Sequence, residues 1–152
     1  MKNTSIFIKT VLLAISILFV MGCSKNDDDI YYRLAGNWKV LYYIENGQKI
    51  TKLEKPTWPE DNNGEITANF TIPDNNGKGT ISGVRVTNSY NGNYTVQRNG
   101  KISFGPLSQT YIGEPDWTEL YNIRLAENYE VNNLILLMYY NNNKSVIVLG
   151  KN

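Results

Sequence analysis

The chain has no histidine and only one cysteine, Cys23, among its 152 residues. Without histidine it cannot build a Ser-His-Asp or Cys-His catalytic system, or a zinc site with histidine ligands. A single cysteine cannot supply a disulfide framework or hold an iron–sulfur cluster. Lysine and arginine number 15 against 14 aspartate and glutamate residues, so the chain lacks the basic excess typical of nucleic-acid binding. We therefore predict no metal, no cofactor and no nucleic-acid partner.

Residues 1–22 have the features of a secretion signal. Two lysines precede an apolar run at residues 11–21, which is shorter than the roughly 20 residues that a membrane-spanning helix needs. The run ends in Val20-Met21-Gly22-Cys23, which resembles the lipobox of bacterial lipoproteins. That resemblance implies cleavage before Cys23 and attachment of fatty acyl chains, such as palmitate, to this residue. Several acyl chains give a stable anchor, because one chain alone binds a membrane only marginally.

Residues 23–30 form a polar, acidic segment with little to bury, and we predict a tether between the lipid and the domain. A second interpretation is that the three aspartates resemble the acidic signal that directs lipoproteins of Bacteroidetes-type bacteria to the outer face of the outer membrane. Both interpretations stay open. In either case we expect an outer-membrane protein that contacts the membrane through its N-terminal lipid, on the periplasmic or the external side.

Residues 31–152 read as one domain of short strands. Apolar and polar residues alternate at 38–44, 66–72 and 79–86, and Asn-Gly pairs mark turns between strand signals. A nearly continuous apolar run at 134–140 is followed by three asparagines and a last strand. Eight strand signals at this spacing predict a mainly β protein, a small antiparallel β-barrel.

Residues 115–126 are the exception to the β pattern. Trp117, Leu120, Tyr121 and Leu125 are spaced as one face of an α-helix, and the proline at 115 suits a first helical turn. We predict a helix here that plugs one end of the barrel.

Two loops are candidates for binding. Residues 55–61 place Trp58 between two prolines, which stiffens Thr57, Trp58 and Glu60 and lowers the ordering cost of binding. Residues 109–115 present Tyr111 and Ile112 just before the predicted helix. Tyrosine and tryptophan are typical of binding loops because they offer a large contact area at low entropic cost. The alternative is that Trp58, Tyr111 and Ile112 fold back onto the barrel as a lid.

No arrangement in the sequence predicts an enzyme. The carboxylates in and beside the loops have no defined separation of the kind that glycoside hydrolysis requires, and Ser-x-x-Lys is absent after Cys23. We therefore expect the domain to act by binding a partner or ligand at its surface.

From Gly36 onward the chain resembles the META-type domain of small bacterial envelope lipoproteins. The matching segments are Gly36-Asn37-Trp38-Lys39-Val40, Ile81-Ser82-Gly83, Asn91-Gly92-Asn93-Tyr94-Thr95-Val96, Gly100-Lys101-Ile102-Ser103-Phe104, Ser108-Gln109-Thr110, residues 117–125, Tyr129-Glu130-Val131 and Leu134-Ile135-Leu136-Leu137. The chain lacks the cysteines of many META domains, and residues 84–90 depart from their Gly-Cys-Asn segment. The resemblance implies a META- or OB-like barrel with a plugging helix, and it implies no defined activity.

Two further resemblances suggest functions. Lipidation, an acidic tether, a compact barrel and a stiff loop are similar to the potempins, surface lipoproteins of an oral Bacteroidetes species that inhibit secreted proteases. The Gly36-x-Trp38 pair resembles that of lipocalins, which implies a carrier of apolar ligands. We expect a monomeric, non-enzymatic binding module, most concretely a protease inhibitor that acts through a projecting loop. The alternatives are a carrier of small apolar or glycan ligands and a structural envelope-stress lipoprotein.

Overall fold

The computed structural model describes residues 33–152. The predicted signal at 1–22 and the tether at 23–30, with the predicted lipidation at Cys23, lie outside the described residues. Within them, nine strands follow one another along the chain. They are β1 (Gly36–Glu45), β2 (Gln48–Ile50), β3 (Thr67–Phe70), β4 (Lys78–Arg85), β5 (Asn88–Val96), β6 (Ile102–Gln109), β7 (Asn128–Asn132), β8 (Ile135–Tyr140) and β9 (Ser145–Lys151).

The strands form one curled antiparallel sheet in the order β6-β5-β4-β3-β1-β9-β8-β7, and β2 pairs with β1 as a short hairpin. The two edge strands meet at a single bridge between Lys101 and Asn128. Beside it, Ile102 N donates to Glu127 O at 3.0 Å and Tyr129 N donates to Gly100 O at 2.8 Å. The sheet therefore closes only in part, as a half-barrel, and the predicted mainly β, barrel-like fold is confirmed.

A bulge in β1 decides which of its aromatic residues enters the core. Trp38 and Val40 are buried as the alternation predicts, but the register shifts between Val40 and Tyr42. As a result Tyr43 is fully buried, whereas Tyr42 is half-buried and lies under Lys49. An extra residue in one strand moves the following side chains to the opposite face, which the sequence pattern does not reveal.

The half-barrel has two distinct ends, which we call the loop end, for the loop at residues 109–115, and the tether end, because the predicted tether precedes Gly36 in the sequence. At the loop end, Glu45 of β1, Arg85 of β4, Gln109 of β6 and Tyr140 of β8 finish their strands. At the tether end β1 begins at Gly36, just after the segment that contains Leu34. The side chain of Leu34 is fully buried there, and its carbonyl accepts a hydrogen bond from Trp38 Nε1 at 2.8 Å.

The predicted α-helix at 115–126 consists instead of two short 3-10 turns, Asp116–Leu120 and Ile123–Leu125. Tyr121 and Asn122 leave helical geometry between them, with ψ values of 69° and 45°. Because of this break, Ile123 is buried in place of Leu125, which the helical spacing places on the buried face but which is 55% exposed. Burial of Trp117, Tyr121 and Ile123 together outweighs the weak preference of a short segment for regular helix. The segment nevertheless covers the core at the loop end, where Trp117 packs edge-on against Tyr43 at 4.6 Å.

The asparagine-rich turns occur where the sequence predicts them. Asn46-Gly47 joins β1 to β2 with positive φ at both residues, and Asn141, Asn142 and Asn143 all adopt positive φ between β8 and β9. One strand, β7, is not among the predicted strands. None of the helices in the described part of the chain has the length and apolarity needed to cross a membrane.

Candidate functional site

Both predicted loops lie at the loop end, and the structure brings them into contact. An ideal Cβ on Gly113 would lie 3.3 Å from Cη2 of Trp58, so the indole ring packs against the backbone of the second loop. Thr57 is half-buried against Gly64, and Glu60 is exposed. The two loops therefore form one surface, in which Trp58 supports the neighbouring residues 110–115.

Tyr111 and Ile112 project from this surface. Their side chains are 89% and 62% exposed, the former among the highest values for a large apolar residue in the described chain. The alternative that these residues close over the barrel as a lid does not hold for this pair, since neither is buried. Only Trp58 folds back in part, and it is half-buried.

Asn88, the first residue of β5, fixes the backbone beneath Tyr111 and Ile112. It is only 4% exposed and uses its whole side-chain amide. Oδ1 accepts from Ile112 N at 2.8 Å and from Thr110 Oγ1 at 2.9 Å. Nδ2 donates to Ile112 O and to Glu114 Oε1, both at 2.8 Å. A primary amide has two donors and two acceptor lone pairs, so this side chain is fully satisfied by residues 110–114.

Two neighbours of Asn88 hold the far side of the same loop. Thr87 Oγ1 donates to Gly113 O at 2.8 Å. Arg85 Nη2 lies 3.0 Å from Glu114 Oε2, and both side chains are mostly buried. An ion pair shielded from solvent in this way is less screened by salt than an exposed one. Residues 85–88 therefore hold the loop at four positions, Thr110 before Tyr111 and Ile112, Gly113 and Glu114 after it.

The β4–β5 turn itself is strained. Val86 has φ of 57°, although a β-branched residue strongly disfavours positive φ. Its side chain is 4% exposed, and its amide donates to Glu65 O at 2.9 Å, so burial and a hydrogen bond hold it in place. Strain of this kind costs roughly 1–3 kcal/mol and is concentrated at functional sites. Here it sets the direction in which Thr87 and Asn88 leave the turn.

A buried tyrosine pair lies beneath the turn and makes its base rigid. Tyr90 Oη and Tyr121 Oη are 2.5 Å apart, and Tyr90 Oη donates to Thr67 O at 2.9 Å. Burial raises the pKa of both tyrosines above the ordinary value of 10.0. Both hydroxyls are therefore neutral at physiological pH, and the strand that carries Asn88 is fixed through Tyr90.

Sequence reasoning found the projecting residues but missed the residues that hold them. Tyr111 and Ile112 were predictable from an aromatic and an aliphatic residue in a loop. Asn88 is one asparagine among many, and as a residue type it indicates only a turn. The strain at Val86 has no sequence signal, since valine normally argues for a regular strand.

Comparison with known proteins supports the fold. A crystal structure of a DUF4847 family protein from Bacteroides vulgatus superimposes with a TM-score of 0.56 and 14% sequence identity. The match covers 78% of this chain and 93% of that protein. At this identity the likeness shows a shared fold and nothing more. No protein-family model and no curated protein matches the chain.

Proposed function

We propose that this chain is a lipid-anchored, non-enzymatic binding module of the bacterial outer envelope that inhibits a secreted protease. The inhibitory element is the loop at residues 110–115. One observation carries the proposal: Tyr111 and Ile112 are exposed, while the backbone that presents them is held by a buried asparagine side chain.

Rigid presentation explains how such a loop can block a protease. A flexible peptide loses roughly 1–2 kcal/mol of backbone conformational entropy for each residue that it orders in the cleft. Asn88, Thr87 and Arg85 already order residues 110–114 in the free protein. Binding therefore causes little further loss of backbone conformational entropy. The loop can therefore bind more tightly than a substrate of the same sequence.

The clamp also disfavours release of cleaved product. If the protease cuts the bond between Tyr111 C and Ile112 N, the new amine of Ile112 stays within reach of Asn88 Oδ1, and its carbonyl stays on Asn88 Nδ2. The amine then remains beside the acyl carbon of Tyr111. Its attack re-forms the peptide bond and releases the protease nucleophile from the acyl-enzyme, or water if the Tyr111 carboxylate is already free. Holding reacting groups in place favours this reverse step over dissociation.

The exposed side chains indicate the class of protease. Tyr111 is the more exposed of the pair, and an aromatic side chain contributes most binding energy when it enters a closely fitting apolar pocket. We expect a partner whose main specificity pocket is deep, apolar and wide enough for tyrosine.

The direction of the loop fits attachment to a membrane. β1 begins at Gly36 at the tether end, whereas Tyr111 lies at the loop end. A lipid on Cys23 would therefore hold the domain by the end opposite the loop and leave residues 110–115 pointing away from the membrane. The META-like resemblance of the sequence supports the envelope-lipoprotein part of the proposal, and the potempin-like resemblance supports protease inhibition. The shared fold with a Bacteroides protein is compatible with it.

The test is inhibition of proteases encoded in the same genome by the chain from residue 24 onward. We expect one-to-one inhibition of at least one of them, and Tyr111→Ala should weaken it about thirtyfold, since central aromatic contacts contribute about 2 kcal/mol or more. The matched control is Leu134→Ala, which removes another exposed apolar side chain (66% exposed) at the tether end and should leave inhibition unchanged. Inhibition of no protease, or equal inhibition by Tyr111→Ala and the unaltered chain, would contradict the proposal.

A further inference from the structure

The incomplete closure of the sheet leaves a pocket beside the loop. β6 is bridged to β7 only near its first residue, and its later residues face the segment 121–125 instead of a strand. Between them lies a pocket of 310 Å³, which we call the seam pocket. This volume is at the lower limit of sites that hold small molecules.

The seam pocket is positively charged. Arg85 and Arg124 both line it, and no aspartate or glutamate is among the described residues that do so. Glu114 neutralises the charge of Arg85 at 3.0 Å. Arg124 is exposed and forms no ion pair with any residue that the structure describes, so it supplies the uncompensated charge.

A second polar group with unused donors lies on the opposite wall. Gln109, the last residue of β6, accepts from Arg85 Nη1 through Oε1 at 3.3 Å. Its side-chain NH₂ group has no partner among residues 33–152. A guanidinium and an amide NH₂ that both lack an acceptor are complementary to a carboxylate, which has two acceptor oxygens and no donor.

The remaining walls are apolar. Four large side chains with apolar surface line the pocket: Leu107, Tyr111, Tyr121 and Leu125. The hydroxyl of Tyr121 is engaged with Tyr90, so the ring offers its apolar surface. The pocket therefore combines one charged and one amide donor with an apolar lining.

We propose that the seam pocket binds a carboxylate with a short apolar body, held by Arg124 and Gln109. The carboxylate belongs either to a free organic acid or to an acidic side chain of a polypeptide. This proposal does not rest on the proposed protease inhibition, because Tyr111 is the only residue of 110–115 among the residues that line the pocket.

The test uses the full-length protein in detergent and ligand-observed nuclear magnetic resonance, which detects millimolar binding. The free-acid probe is 3-phenylpropionate, and 3-phenylpropionamide is its neutral match. The peptide probe is acetyl-Phe-Asp-amide, with acetyl-Phe-Asn-amide as its neutral match. We expect each acid that binds to have a higher affinity than its neutral amide. If only the free acid or only the peptide binds, that result identifies the source of the carboxylate.

Arg124→Gln should weaken binding of the preferred acid about three- to fivefold and abolish its advantage over the amide, because a partly exposed charge pair contributes modestly. The matched control is Arg98→Gln in the β5–β6 turn, which removes an exposed arginine at the tether end and should change nothing. The proposal is overturned if neither acid binds, if acids and amides bind equally, or if Arg124→Gln binds the acid as the unaltered protein does.

Discussion

Replacement of Asn88 by alanine tests the clamp on residues 110–114 most sharply. The change removes four hydrogen bonds, two to the backbone of Ile112 and one each to Thr110 and Glu114. A net contribution of about 0.5–1.5 kcal/mol per bond would sum to several kcal/mol. Bonds to one side chain are not additive, and water can reach the freed loop. We therefore expect the free energy of unfolding to fall by about 2–4 kcal/mol.

Hydrogen exchange at single amides separates a local effect from a global one. In the unaltered protein the Ile112 amide is protected by Asn88 Oδ1, although its side chain is exposed. In Asn88→Ala this amide should exchange nearly as fast as in an unfolded peptide. The amide of Ile147, a fully buried residue of β9, should instead exchange at a rate set only by the lower global stability.

Asn93→Ala is the matched control, because Asn93 lies in the same strand, is exposed and has no side-chain hydrogen bond within the described chain. It should alter stability by less than about 0.5 kcal/mol. If the Ile112 amide exchanges equally fast in the unaltered protein, Asn88→Ala and Asn93→Ala, the side chain of Asn88 does not hold the loop.

Three further predictions concern other parts of the molecule. Gly113→Ala should lower the thermal midpoint and shift the Trp58 fluorescence, because the new Cβ would lie 3.3 Å from the indole; an unchanged spectrum contradicts this contact. Asn142→Ala should cost about 1 kcal/mol in urea unfolding, since φ is 54° and alanine disfavours positive φ; Asn142→Gly should cost nothing comparable. Burial raises the pKa of Tyr140 to about 12, above its ordinary 10.0. Because the unfolded chain loses this proton at lower pH than the folded chain, the free energy of unfolding should fall as pH rises from about 10 to 12. Tyr140→Phe should reduce that pH dependence, and an identical dependence in the variant would exclude Tyr140 as its source.

The sequence predicts most strands because their side chains alternate on a sheet with one buried face. Residues 66–72 and 79–86 correspond closely to β3 and β4, and the Asn-Gly turns fix where strands reverse. The pattern fails where the backbone leaves regular geometry. The bulge after Val40 places Tyr43 in the core and the break at Tyr121 places Ile123 there, and a local alternation pattern carries no information on either irregularity.

In the candidate site, too, some residues can be predicted from the local sequence and others cannot. Exposed side chains in loops depend on local composition, so Tyr111 could be found by reading the chain. The clamp joins Asn88 to Ile112 across 24 positions in sequence, and it forms only because β5 pairs with β6. Contacts between distant segments depend on the register of the sheet, which no single segment specifies.

We propose that a protease engages the bond between Tyr111 and Ile112 while Asn88 holds Thr110 on one side of that bond and Ile112 on the other. The most direct measurement is mass spectrometry of the protein after long incubation with a catalytic amount of a protease that it inhibits. We expect a stable mixture of intact chain and chain cut between Tyr111 and Ile112, and the same mixture should form whether the starting protein is intact or cut. Complete degradation, or a cut confined to another bond, would contradict it.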